Sequence, residues 1–227
     1  MTRLFACKLL HELAFEQLKP NMLNHVPEQC AMKALSFYHA NDCQRHLTGE
    51  LLARYILRQE TGIRPDGPFD TGEKGKPNPE GYHGIHFNIS HSGLWVVAAT
   101  SVAPVGVDVE RMRKVPEGVA HRFFSQPEQY LLNNAKDETE KAHIFFTLWT
   151  LKESFIKAIG KGLSKSLNTF TILQQQNGEY ELEPDPETLG YYLKAFPFDE
   201  EYKLAACAAH SEFDPKVNIL QMEELLQ

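Results

Sequence analysis

The sequence predicts an α+β fold of two similar halves related by a pseudo-twofold axis, each a helix packed on an antiparallel sheet. Three observations carry that reading. A helix-spaced apolar pattern occurs once on each side of the chain's middle, at residues 44–60 and 140–160. Short β-branched or aromatic runs, bounded by turn residues, accompany both of them. No period of 20–50 residues repeats, which removes solenoids and propellers. The join falls near residues 102–105, giving expected halves of 1–103 and 104–227.

In chain order, residues 3–9 read as a strand and 44–60 as a helix. Leu47, Leu51, Ile56 and Leu57 approximate helical spacing there, and Gly62 ends the run. Nine glycines and prolines between Arg64 and Gly84 mark a loop. From Ile85 the chain turns apolar and β-branched, predicting strands at 85–89 and 94–100 around a Ser90-His91-Ser92-Gly93 turn. Pro104 opens the second half with a strand, Val105 to Glu110, then a polar, partly helical stretch and the helix at 140–160. Strands follow at 168–173, 179–182, 191–196 and 202–210, the first two joined by an Asn177-Gly178 hairpin turn.

Composition narrows the function classes. At 227 residues the chain can bury a core without disulfides or metals, and 42% hydrophobic with 23% charged residues excludes disordered, collagen-like and coiled-coil classes. Lys+Arg 23 against Asp+Glu 30 gives a net charge of −7, so the overall field repels nucleic acid and anionic membranes, and neither is an expected partner. Cys7, Cys30, Cys43 and Cys207 form no C-x-x-C pair, and no apolar run has the length of a signal peptide or membrane span. A cytoplasmic protein with reduced thiols is expected.

The chemistry is carried by carboxylates. Period-two geometry puts Asp108 and Glu110 on one face of their strand, with Val107 and Val109 on the other. At about 7 Å, two such charges repel by about 2 kcal/mol at an effective dielectric of about 20, and by about 0.6 kcal/mol in open water. The pair alone is therefore no more than a solvated strand face. Along the second helix, Ile144, Leu148, Leu151, Phe155 and Ile159 form a core stripe, while Glu153 and Lys157 fall on the opposite side, one turn apart, with Trp149 a turn before them. Lys161 and Lys165 follow directly. Three hard oxygen donors (Asp108, Glu110 and Glu153) beside Lys157, Lys161 and Ser90-His91 suit a magnesium-bound diphosphate, because Mg²⁺ prefers a few carboxylates completed by phosphate oxygens and waters. Neither G-x-x-x-x-G-K-[ST] nor G-x-G-x-x-G occurs, so P-loop and dinucleotide folds do not account for the site.

Three segments, Asn88 to Ser92, Gly106 to Glu110 and Trp149 to Leu163, resemble in order and spacing the Sfp-type 4′-phosphopantetheinyl transferases, and the likeness runs nearly end to end. Phe37-Tyr38-His39, Arg45, Gly75-Lys76-Pro77, Arg122 to Ser125 and Ala205 to His210 add to it. The resemblance implies coenzyme A as co-substrate, a serine hydroxyl of an apo acyl or peptidyl carrier protein as acceptor, and adenosine 3′,5′-bisphosphate as the second product. It implies Mg²⁺ as cofactor, with Mn²⁺ able to substitute, and an active site at the interface of the halves. Asp108, Glu110 and Glu153 would hold the metal, and Lys157 would contact phosphate and the reacting region. Ser90 and His91 would reach the pyrophosphate and the 3′-phosphate; Lys33, Arg45 and His46 would line the 3′-phosphate pocket; Gly75, Lys76 and Pro77 would pack near adenine. Glu128 matches the family's proposed general base. Cys30 stands where relatives often place a basic residue, which thins the clamp.

The first half then carries the adenosine contacts, and the second half carries the metal carboxylates and carrier docking, part of it on residues 112–124. Fatty acid, polyketide and nonribosomal peptide carriers all fit. Two fused halves supply both walls from one chain, so a monomer is expected. Two other readings use the same residues. A Mg²⁺-dependent phosphohydrolase or nuclease would also cluster carboxylates, although the net charge of −7 opposes a nucleic-acid substrate. A non-catalytic module could bind a carrier or nucleotide without turnover, but it has no reason to keep three facing carboxylates.

Overall fold

In this computed structural model, residues 1–63, 65–67, 69–71, 77–78, 84–162 and 165–227 are described, with 70–71 and 77–78 described as backbone alone. Strand β1 (Thr2–Lys8) leads into three helices, α1 (Glu12–Asn24), α2 (Glu28–Leu35) and α3 (Ala40–Thr61). The sequence reading finds β1 and α3 but not α1 and α2. Pro20 lies inside α1, where a proline argues against a helix, and only Phe15 and Met22 of that helix are buried, so no continuous stripe marks it. α3 stops at Gly62, whose φ of 72° is open to glycine at little cost.

Two short strands, β2 (Asp70–Thr71) and β3 (Pro77–Asn78), pair with each other. β4 (His86–Ser92) and β5 (Trp95–Ser101) then form an antiparallel hairpin. The turn expected at Ser90–Gly93 lies later, at Gly93-Leu94. Alternation persists through Ser90, His91 and Ser92, and Gly93 (φ 54°) is where the chain first enters the left-handed region. After β6 (Val105–Arg111) come α4 (Val119–Phe123), α5 (Gln126–Asn133) and α6 (Glu138–Ala158). The hairpin of β7 (Ile172–Gln174) and β8 (Tyr180–Leu182) precedes β9 (Tyr192–Phe196) and β10 (Tyr202–Ala208). β11 (Phe213–Leu220) and α7 (Met222–Leu225) close the described chain.

The expected α+β class holds. One sheet has the order β11-β1-β5-β4, the other β6-β10-β9. α1, α2, α3 and α7 cover the outer face of the first sheet, burying Phe15, Met22, Leu47, Leu51 and Ile56 against Phe5, Val96 and Ala98. α6 covers the second, burying Leu148, Leu151 and Phe155 against Ala205 and Cys207. The inner faces meet through Leu4, Ala6, Val97 and Ala99 on one side and Val105, Val107, Val109, Leu204 and Ala206 on the other.

The division at 103/104 follows the chain more closely than it follows space. β11 pairs in parallel with β1, and Leu220, Met222 and Leu225 join the first core, so residues 213–227 return to the first sheet. Among the described residues no helix is long and apolar enough to cross a membrane.

Candidate active site

β6 alternates as its sequence dictates. Val105, Val107 and Val109 enter the inter-sheet core, and Gly106, Asp108 and Glu110 face α6 and the neighbouring strand β4. Gly106 sets how near α6 comes. A Cβ at this position would lie 2.1 Å from the Ser154 carbonyl oxygen, 2.5 Å from the Ala158 nitrogen and 2.8 Å from the Lys157 Cβ. The helix thus rests on bare backbone. That approach delivers the Lys157 ammonium, which donates to Asp108 Oδ1 at 2.6 Å, to Ser90 Oγ at 2.9 Å and to the Val107 carbonyl at 3.1 Å.

Glu153 and Lys157 were expected to point away from the core; they are half-buried and turned toward this seam. Because α6 packs on β6 as well as on its own stripe, little of it is left to solvent.

β4 and β6 run side by side and are bridged by side chains. The Val107 N–H donates to Asn88 Oδ1 at 3.0 Å, Ser90 Oγ donates to Asp108 Oδ1 at 2.8 Å, and Ser92 Oγ donates to Glu110 Oε2 at 2.9 Å. Ser92 is absent from the expected site. Its signal was the alternation Asn88, Ser90, Ser92, visible once the strand is continued to residue 92.

The acids are short of positive charge. Asp108 Oδ2 is buried and has no hydrogen-bond partner among the described residues. Burial and then the Asp108 charge push the Glu110 carboxyl above its ordinary range, opposed by Ser92, Arg113 and Lys157. Glu153 is raised by burial and by Asp108, against Lys157. Among the described residues, no group of three or more His, Cys, Asp or Glu side chains is already placed to hold a metal ion. The donor chemistry nevertheless fits a hard divalent cation: one orphaned carboxylate oxygen, with two further carboxylates whose charge it would relieve.

A row of basic groups leads from this point. Burial around the His91 ring, then Arg45 and Lys157, hold His91 below its ordinary pKa. Arg45 pairs with Asp42 at 2.6 Å and donates from Nε to the Gly93 carbonyl at 3.1 Å. His46 is also lowered, by burial first, with Lys33 among the smaller causes; its Nε2 donates to the Cys30 carbonyl at 3.3 Å, and its ring lies 5.6 Å from that of Phe37. Lys33 itself is exposed. Cys30 belongs to the first core, where burial raises its thiol to about 11. Its side chain is therefore packing, whatever stands there in relatives.

Residues 104–207 match the family model for the 4′-phosphopantetheinyl transferase superfamily, and residues 16–103 match that for the 4′-phosphopantetheinyl transferase N-terminal region. The chain is 40% identical over 195 residues to the 4′-phosphopantetheinyl transferase Sfp of Bacillus subtilis (strain 168), covering 86% of this chain and 87% of that one. It belongs to the 4′-phosphopantetheinyl transferase family. The 4′-phosphopantetheinyl transferases psf-1 of Bacillus pumilus and gsp of Aneurinibacillus migulanus are each 35% identical over 212 residues. These alignments cover 93% and 89% of this chain, and 89% and 84% of the relatives.

Within this transferase, Glu128 is the residue whose expected role fails. It is 0% exposed. Its Oε1 takes the Lys152 ammonium at 2.8 Å and the Ile172 N–H at 2.8 Å, and its Oε2 accepts from the Ser125 N–H at 2.8 Å in a capping box. Lys152, also fully buried, donates to the carbonyls of Leu167 at 2.8 Å and Phe170 at 2.5 Å. A carboxylate sealed in this way can neither meet a serine nor release a proton to water.

Trp149 packs on Phe123, Phe124 and Phe145 instead of flanking the carboxylates. Lys161 and Lys165 both donate to Glu187, holding its carboxyl down at about 2. Gly75, Lys76 and Leu163 lie outside the described residues, and of Pro77 only the backbone, in β3, is described. Of the residues expected at the site, the structure brings together Ser90, His91, Asp108, Glu110, Glu153 and Lys157, with Arg45 and His46 beside them.

Proposed function

We propose that this chain transfers the 4′-phosphopantetheine arm of coenzyme A to a serine hydroxyl of an acyl or peptidyl carrier protein, in a Mg²⁺-dependent reaction that releases adenosine 3′,5′-bisphosphate. The observation that carries this reading is Asp108. One oxygen is held by Lys157 and Ser90 while the other is buried and unpartnered, at a seam where β4, β6 and α6 converge.

Asp108, Glu110 and Glu153 would hold Mg²⁺, which when bound offsets pyrophosphate charge and steadies the leaving bisphosphate. Lys157 already stands at this point with its ammonium oriented, so it meets developing charge on phosphoryl oxygens without reorganising. Ser90 and His91 take the adjoining phosphate oxygens, Arg45 and Lys33 carry the positive field on toward the 3′-phosphate, and His46 lines the same pocket. With Glu128 closed off, Glu153 takes the proton of the attacking serine directly or through one water. It faces the site, in the field of Asp108 and Lys157. The serine Oγ–P bond forms as the bond from phosphorus to the bisphosphate oxygen breaks.

In this reading the first half provides the adenosine contacts, Gly75, Lys76 and Pro77 among them, and the second half the carboxylates and carrier docking. Residues 112–124 are the docking segment, flanked by an open groove that Lys114, Val115, His121 and Lys141 help to line. Both walls of the site come from one chain, which favours a monomer, and cysteines without a C-x-x-C pair favour the cytoplasm. Incubation with coenzyme A, Mg²⁺ and a panel of apo-carriers, read by mass spectrometry, tests the proposal. A serine-linked pantetheine arm and carrier-dependent bisphosphate are expected; bisphosphate released without a carrier would make the protein a hydrolase instead.

A further inference from the structure

We infer that Tyr202 is a positioning residue, holding the β4–β5 turn, and through it Ser90 and His91, against the second half of the molecule. The inference rests on Ser90 and His91 being phosphate contacts. Tyr202 opens β10, is 5% exposed, and sits opposite Arg111 in the β10–β6 register. Its hydroxyl oxygen accepts the Leu94 N–H at 2.9 Å, a bond between the two halves of the chain. At Gly93 a Cβ would stand 2.3 Å from that oxygen and 3.2 Å from the Arg111 Cδ, in a backbone conformation (φ 54°) that already favours glycine. The phenol therefore occupies the space that the missing side chain leaves.

Other elements grip the same residues. Arg45 of α3 donates to the Gly93 carbonyl at 3.1 Å, and the Arg111 N–H of β6 donates to Ser92 Oγ at 3.1 Å. Next to the turn, Trp95 Nε1 donates to Asp199 Oδ2 at 3.1 Å, just ahead of β10. A two-residue hairpin turn is ordinarily a mobile tip. This one is fastened from α3, β6 and β10, and the strand end it closes carries Ser90, whose hydroxyl joins Asp108 to Lys157. Among the described residues, the Tyr202 hydroxyl makes no hydrogen bond to Asp108, Glu110 or Glu153. Its effect passes through Leu94 and Gly93, which makes it a residue that sets ligand affinity and not one that performs chemistry.

Tyr202→Phe keeps the ring in its packing and removes only the acceptor. The loosened turn is expected to raise the KM and Kd for coenzyme A by about three- to tenfold with kcat close to that of the parent protein, beside the modest fall in melting temperature that one lost hydrogen bond brings. Gly93→Ala tests the same contact from the other side. Alone it should weaken coenzyme A binding more than Tyr202→Phe does, and in the Tyr202→Phe background its effect should shrink, because the atom 2.3 Å away has gone. An unchanged Kd in Tyr202→Phe, or additive effects in the pair, overturns the inference. So does a fall in melting temperature with KM held. His91→Ala, measured alongside, separates the two levels. If it weakens coenzyme A binding and Tyr202→Phe does not, positioning by Tyr202 alone fails; if neither weakens it, the phosphate-contact reading fails as well.

Discussion

Two of the lysine–carboxylate pairs on α6, Lys152–Glu128 and Lys157–Asp108, differ in one respect that separates scaffold from site. In Lys152–Glu128 both residues are fully buried and both carboxylate oxygens are taken, by the ammonium, Ile172 and Ser125. In Lys157–Asp108 the lysine remains partly open at 22%, one aspartate oxygen is doubly held, and the other has no partner. The first pair joins α5, α6 and the stretch ahead of β7 into one unit. The second is incomplete, and the surrounding carboxylates make it more so. Buried ionic groups with every bond made hold a fold together, whereas one left wanting a cation is a binding site.

The largest expected effect lies on the closed pair. Lys152→Met strands a buried carboxylate, which costs about 3–5 kcal/mol, measured by denaturant unfolding; adding Glu128→Leu should recover much of that loss. Asp108→Asn should do the reverse. Turnover falls by about a thousandfold or more, while the melting temperature holds or rises, because the Asp108 charge is what Glu110 and Glu153 work against. Were Asp108→Asn to unfold the protein, or Lys152→Met to leave it stable and inactive, the distinction between the pairs would be lost. Glu153→Ala should likewise abolish transfer with the fold intact.

Gly106→Ala probes the contact that positions the open pair. The added methyl meets backbone at 2.1 and 2.5 Å, so overpacking of about 1–3 kcal/mol is expected, together with reduced kcat as Lys157 is lifted from Asp108.

The smallest effect sharpens the comparison through pH. Glu110 and Glu153 are both raised above 4.5, so the fold is favoured by their protonated forms below the ordinary value and loses that contribution as pH rises through the raised pKa values. A cation at this site reverses the loss. Mg²⁺ should therefore raise the melting temperature more at pH 7 than at pH 4.5, and equal shifts at both would place the ion elsewhere.

Some of this was legible in the chain. Alternation along β6 placed Asp108 and Glu110 together, helical spacing placed Glu153 one turn from Lys157, and the ordered segments marked the family. Other parts gave no local sign. Glu128 looked like a site residue because its neighbourhood matches a motif, and nothing near it in sequence announces Lys152 as its partner. α1 hid behind Pro20 and its scarcity of buried residues. Ser92 was lost by ending a strand three residues early.

By itself the sequence determined the elements with regular periodicity, the sign and type of the reacting groups, and the family, because backbone geometry repeats over two or 3.6 residues and writes that period into side-chain pattern. Only the tertiary structure decided which carboxylate is sealed and which is open, that β11 returns to lie beside β1, and that Tyr202 reaches Leu94. Those contacts join residues far apart in the chain. They follow from how faces pack and how closely backbones approach at Gly106, which no local pattern encodes.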